Sequence, residues 1–109
     1  MTSEIRAPRR ETLSIMVQVK RSTDPVGVIS RSINLSTAGM LIETELKLRM
    51  GETVFLRFIV PKTAYTISVE ACVVREEPSH GVQKYGVRFV DLKPEDGEVI
   101  ETFVSSRLK

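Results

Sequence analysis

Hydrophobic and polar residues alternate with period 2 along most of this chain. Leu13, Ile15, Val17 and Val19 alternate with Ser14, Gln18 and Lys20, and only Met16 departs from the rule. That is the pattern of a half-buried strand. Ser22-Thr23-Asp24-Pro25 then supplies turn chemistry, Pro25 fixing φ and Asp24 able to cap the turn. A second strand is expected over Val26 to Leu35, with Ser30, Ser32 and Asn34 outward, Ile29, Ile33 and Leu35 inward, and Arg31 as an exception. Three more strands follow, over Met40 to Glu45, Thr53 to Val60 and Tyr65 to Arg75. In the last of these Tyr65, Ile67, Val69, Ala71 and Val73 turn inward, the cleanest alternation in the chain. A sixth strand covers Val82 to Asp91.

The period changes only at the end. Val99, Ile100, Phe103, Val104 and Leu108 recur at helical spacing behind Pro94, which suits a first helical turn. Gly97 weakens this helix by roughly 1 kcal/mol relative to alanine. Six antiparallel strands and one short C-terminal α-helix predict an all-β fold that closes, or nearly closes, into a barrel, because closure removes exposed edges. The helix is expected to lay its apolar stripe over an open end. Glu95, Asp96, Glu98 and Glu101 are expected on its solvated face.

Residues 1–12 lack any periodicity and contain Pro8, which predicts a flexible N-terminal arm ahead of a single domain over residues 13–109. With 109 residues, 41% of them apolar and 28% charged, the chain has the composition of one globular domain. A net charge of +2 gives no overall field towards nucleic acid or an anionic membrane. Its distribution is uneven: residues 1–31 hold six Lys/Arg and three Asp/Glu, whereas residues 94–109 hold four acids and two bases. An anionic partner would therefore prefer the N-terminal side. No apolar stretch approaches the ~20 residues that span a bilayer, and no secretory leader is recognisable at the N-terminus. The lone Cys72 suits a reducing cytoplasm, and one His with one Cys cannot build a four-ligand zinc site.

Two short constellations carry candidate chemistry. Arg6-Ala7-Pro8-Arg9-Arg10 places two arginines four apart just before the first strand. The guanidinium fork grips phosphate or the O6/N7 edge of guanine through paired hydrogen bonds, and its plane stacks on purines. Alone, the cluster reads first as a solvated basic arm, which is a common feature of N-termini. Asn34-Leu35-Ser36-Thr37-Ala38-Gly39 sets an amide and a hydroxyl on one outward face, able to read a base edge, with Gly39 permitting positive φ or a close approach to backbone. Alone, this is equally a Ser/Thr turn leading into a hairpin.

Taken together, Arg-x-x-x-Arg, about two dozen residues of hairpin, and Asn-x-Ser-x-x-Gly at a strand end resemble the PilZ domain family. Tyr85-Gly86-Val87-Arg88-Phe89 is similar to the family's last-strand pattern, so the likeness runs through nearly the whole chain. The resemblance implies a six-stranded barrel that binds cyclic di-GMP and catalyses nothing. Arg6 and Arg10 would meet phosphates and guanine edges, and Asn34, Ser36 and Gly39 would complete the site. Arg9 would add electrostatic attraction outside the core contacts. Asn34 stands where the family has Asp or Asn, so guanine would meet a neutral acceptor. The resemblance also implies that Ile5, apolar at the position before the motif, would favour one bound ligand over an intercalated pair. The implied mechanism is ordering of the arm on binding, which signals to a downstream protein of motility, polysaccharide or transcription machinery.

The principal alternative is a degenerate PilZ domain that works through protein contacts alone. A single-stranded nucleic-acid barrel would need exposed aromatics in a basic groove, whereas here Phe58, Tyr65, Tyr85 and Phe89 follow inward phases and only Phe55 faces out. His80 reads as an exposed loop residue and Cys72 as a partly buried one. No acid–base pair, metal cluster or phosphate loop can be assembled for an enzyme, and no cofactor is implied.

Overall fold

The computed structural model describes residues 14–77 and 80–107. Its elements are β1 (Ile15–Arg21), β2 (Val28–Leu35), β3 (Gly39–Thr44), β4 (Thr53–Ile59), β5 (Thr66–Glu77), β6 (Gln83–Val90) and α1 (Pro94–Arg107). The strands close into an antiparallel barrel in the order β1-β2-β3-β6-β5-β4, with β1 pairing back onto β4. Alternation predicts which side chains fill it. Ile15, Val17 and Val19 of β1 meet Val54, Leu56 and Phe58 of β4 and Ile67, Ala71 and Val73 of β5 in one buried core. Between β1 and β2, Asp24 acts as the turn cap that its position predicts. Its carboxylate accepts the N–H of Arg21 at 2.8 Å and holds the same residue's guanidinium at 2.9 Å.

β2 departs from its predicted facing. Ser30 and Ser32 point into the barrel and are buried, whereas Ile29 is 57% exposed. The reason lies in the neighbours. Ser30 is paired with Val17, and Ser32 with Ile15 and Ile42, all buried residues of the core. β2, interrupted by Arg31, has too weak a pattern to set its own phase, and a one-residue slip exchanges the two faces. The buried hydroxyls are satisfied: Ser30 donates to Thr44 Oγ1 at 2.8 Å, and Ser32 donates to the carbonyl of Asn34 at 2.6 Å. A β-bulge at Ile33 then inserts one extra residue. It re-phases the strand so that Asn34 faces out and Leu35 turns into the core.

The helix caps the barrel as its apolar spacing predicts, with Ile100 and Phe103 buried in the common core and Val99 and Val104 packed against it. One expectation for its polar face fails. Glu95, Glu98 and Glu101 are exposed, but Asp96 is only 7% exposed, and its Oδ1 accepts the phenol O–H of Tyr65 at 2.7 Å. That bond, then burial and the negative charges of Asp96 and Glu95, push the Tyr65 phenol up to about 12. The linkage ties the first turn of α1 to the residue that leads into β5.

Candidate ligand-binding site

The end of β2 and the turn into β3 form a compact hydrogen-bonded unit. With Asn34 turned outward by the bulge, its Oδ1 accepts the N–H of Leu41 across the hairpin at 2.9 Å. Its Nδ2, a donor, has no partner among the described residues. Ser36 closes the turn. Its N–H donates to the Gly39 carbonyl at 2.9 Å, and its Oγ accepts the N–H groups of Ala38 at 3.1 Å and Gly39 at 3.3 Å. The Ser/Thr-turn geometry read from the sequence is therefore formed.

Gly39 answers a close approach, but to another strand. A Cβ at this position would lie 2.0 Å from the carbonyl oxygen of Val87 and 3.0 Å from Cα of Arg88, both on β6. The missing side chain lets β3 pack onto β6, and the Phe89 N–H to Ala38 carbonyl bond at 2.8 Å carries that pairing into the turn.

Three residues on this outer wall had no individual role in the sequence reading. Leu41 sits between Asn34 on β2 and Gly86 on β6. It is on the opposite phase from the core residues Met40 and Ile42, and it is 9% exposed although outside the core cluster. Gly86 lacks a side chain there, and the Arg75 side chain lies beside it. Arg88 is opposite Gly39, exposed, and without an ion pair among the described residues. The only sequence signal for Gly86 and Arg88 was the last-strand pattern, because which strand borders β3 is a matter of topology. Glu43 on the same wall is engaged by Arg31 Nε at 3.1 Å and by Lys84 Nζ at 3.7 Å.

Arg6, Arg9 and Arg10 lie outside the described residues. Ser14 is the first described residue, and its place is set by β1. Ile15 at the start of β1 pairs with Ser32 near the end of β2, so Ser14 stands at the end of the barrel that carries Asn34 and Ser36. The arrangement offers an amide donor, a turn hydroxyl and the Arg88 cation on one outer wall. No group of His, Cys, Asp and Glu able to hold a metal ion occurs among the described residues.

The family model for the PilZ domain matches residues 4–106. The chain belongs to the PilZ domain family. Solved structures share this PilZ fold at low identity. The PilZ domain of YcgR from Escherichia coli, with c-di-GMP, is 15% identical with a TM-score of 0.72, the match covering 94% of this chain and 91% of that one. The motility inhibitor MotI/DgrA of Bacillus subtilis is 20% identical with a TM-score of 0.73 over 91% of this chain, which spans only 49% of that protein. The PilZ domain of CeSA from a cellulose-synthesizing bacterium is 16% identical with a TM-score of 0.64, covering 93% of this chain and 99% of that one. A search of curated proteins found no match. PilZ domains form a family of cyclic di-GMP receptors and adaptors. Among the described residues of this PilZ domain no helix is long and apolar enough to cross a membrane.

Proposed function

We propose that this PilZ domain is a cytoplasmic cyclic di-GMP receptor. Arg6 and Arg10, with Arg9 adding attraction, close over the outer wall that carries Asn34, Ser36 and Gly39. The observation that carries this reading is the pairing of Ile15 with Ser32, which roots the arm at the end of β2 bearing the second motif. The YcgR PilZ domain with c-di-GMP, which shares this fold, supports the choice of ligand. The ligand is anionic, and arginine forks match both its phosphates and its guanine edges. Ordering of the arm then alters the surface offered to a downstream protein; the domain acts as an adaptor and performs no reaction.

Isothermal titration with cyclic di-GMP tests the reading. Micromolar binding is expected, lost in Arg6→Ala and in Arg10→Ala without a change in Tm. A second reading has its own support. Asn34 Oδ1 and Ser36 Oγ are both engaged within the hairpin, which suits a degenerate PilZ domain that keeps the turn for folding and signals through protein contacts alone. No heat from cyclic di-GMP at micromolar concentration, with a folded barrel, decides for that alternative.

A further inference from the structure

We infer that the outer surface of β2, β1 and β4 is a docking face for a protein segment that sets carboxylates beside apolar side chains. Because the barrel is closed, a partner cannot add a strand and must be recognised through outward side chains. On β5 and β6 such residues are mostly polar, Val74 and Val90 being the exposed exceptions. Here Met16, Ile29 and Ile59 are 68%, 57% and 54% exposed, and Phe55 adds an exposed ring.

Pairing sets these residues side by side. Gln18 lies between Ile29 and Arg57, and Lys20 lies opposite Phe55 with its Nζ 5.8 Å from the ring centroid. A groove of about 530 Å³ crosses the face, lined by Met16, Ile29, Ile59 and Pro61 together with Gln18 and Arg57. The outward positions of the three strands include Arg31, Lys20 and Arg57 and no carboxylate. Arg31 is already engaged by Glu43 of β3, whereas Arg57 has no ion pair among the described residues.

Charge and shape together select the occupant. A cation set among apolar side chains is complemented by a carboxylate flanked by apolar side chains. A second copy of this chain would bring the same cations against themselves. A concave groove lined by the cation Arg57, with Lys20 on the same face beyond it, accepts protruding side chains better than it meets a lipid surface, which draws on basic clusters. An acidic, amphipathic protein segment fits both requirements. None of this depends on nucleotide binding.

Photo-crosslinking with the full chain in its own cells tests the inference, using p-benzoylphenylalanine introduced at Met16 and, separately, at Ile59. Both probes are expected to form an adduct with one protein, mapped by mass spectrometry to an acidic and apolar segment. Adding Arg57→Glu should reduce the adduct by about tenfold or more while the barrel stays folded. Adducts with a second copy or with lipid, no adduct, equal capture from Val90 on β6, or indifference to Arg57→Glu would each overturn it.

Discussion

Asn34 Oδ1 accepts the Leu41 N–H at 2.9 Å, so the side chain proposed to read guanine also fastens the β2–β3 hairpin. Removing it in Asn34→Ala leaves a partly buried N–H without its partner and should cost about 1–2 kcal/mol in urea unfolding. Asn34→Asp keeps the acceptor and adds charge. Stability should hold, and cyclic di-GMP should bind about 1 kcal/mol more tightly by titration calorimetry, since charge-assisted hydrogen bonds are the stronger ones. Equal affinity in the two proteins would remove position 34 from the contact set.

Ser36 and Gly39 separate turn formation from ligand contact. Ser36→Ala removes the acceptor of two turn N–H groups, one exposed and one partly buried, so the expected loss in urea unfolding is about 0.5–1 kcal/mol. In Gly39→Ala the new Cβ would collide with the β6 backbone, which has no flexible end to yield. Forced separation of β3 from β6 should cost about 1–3 kcal/mol or more in thermal unfolding. A Gly39→Ala protein with unchanged Tm would show that the strands can part without penalty.

Gly97 is a different case. It lies inside α1, and a Cβ there would meet only Leu92 Cδ2 at 3.6 Å, an ordinary contact. Gly97→Ala should therefore stabilise the domain by about 0.5–1 kcal/mol through helix propensity and a more restricted unfolded chain. Thermal denaturation checks this, and a lower Tm would contradict it.

Tyr65 and Asp96 predict alkaline sensitivity. The folded state holds the Tyr65 phenol at about 12, above its ordinary 10.0, so folding favours the protonated form. This contribution is fully present below about pH 10 and is lost as pH rises through about 12. Ultraviolet titration of phenolate should show the Tyr65 phenol titrating late, and Asp96→Asn should bring it back towards ~10. Unchanged titration in Asp96→Asn would deny Asp96 this role.

Which faces of β1, β4 and β5 fill the barrel was legible because one phase of each strand is apolar without a break, as in Val54, Leu56 and Phe58. The helix was legible from Ile100 and Phe103 for the same reason at a different period. β2 was misread because Arg31 breaks its pattern and a bulge is invisible to strict alternation. Asp96 was misread because the hydroxyl that compensates its burial belongs to Tyr65, remote in sequence. At the candidate site, Asn34, Ser36 and Gly39 were legible as a motif. That Gly39 serves contact with Val87 depends on strand order, which local pattern does not encode.

The sequence by itself determined six strands, a terminal helix, most of the core and the PilZ motifs, because periodicity and residue chemistry are local properties. Tertiary structure alone decided that Ser30 and Ser32 turn inward, that a bulge then returns Asn34 to the outward face read from the sequence, and that β3 lies against β6. Register and burial are set by what neighbouring strands bring, and a hydroxyl can be buried only once its partner has been carried to it by the fold.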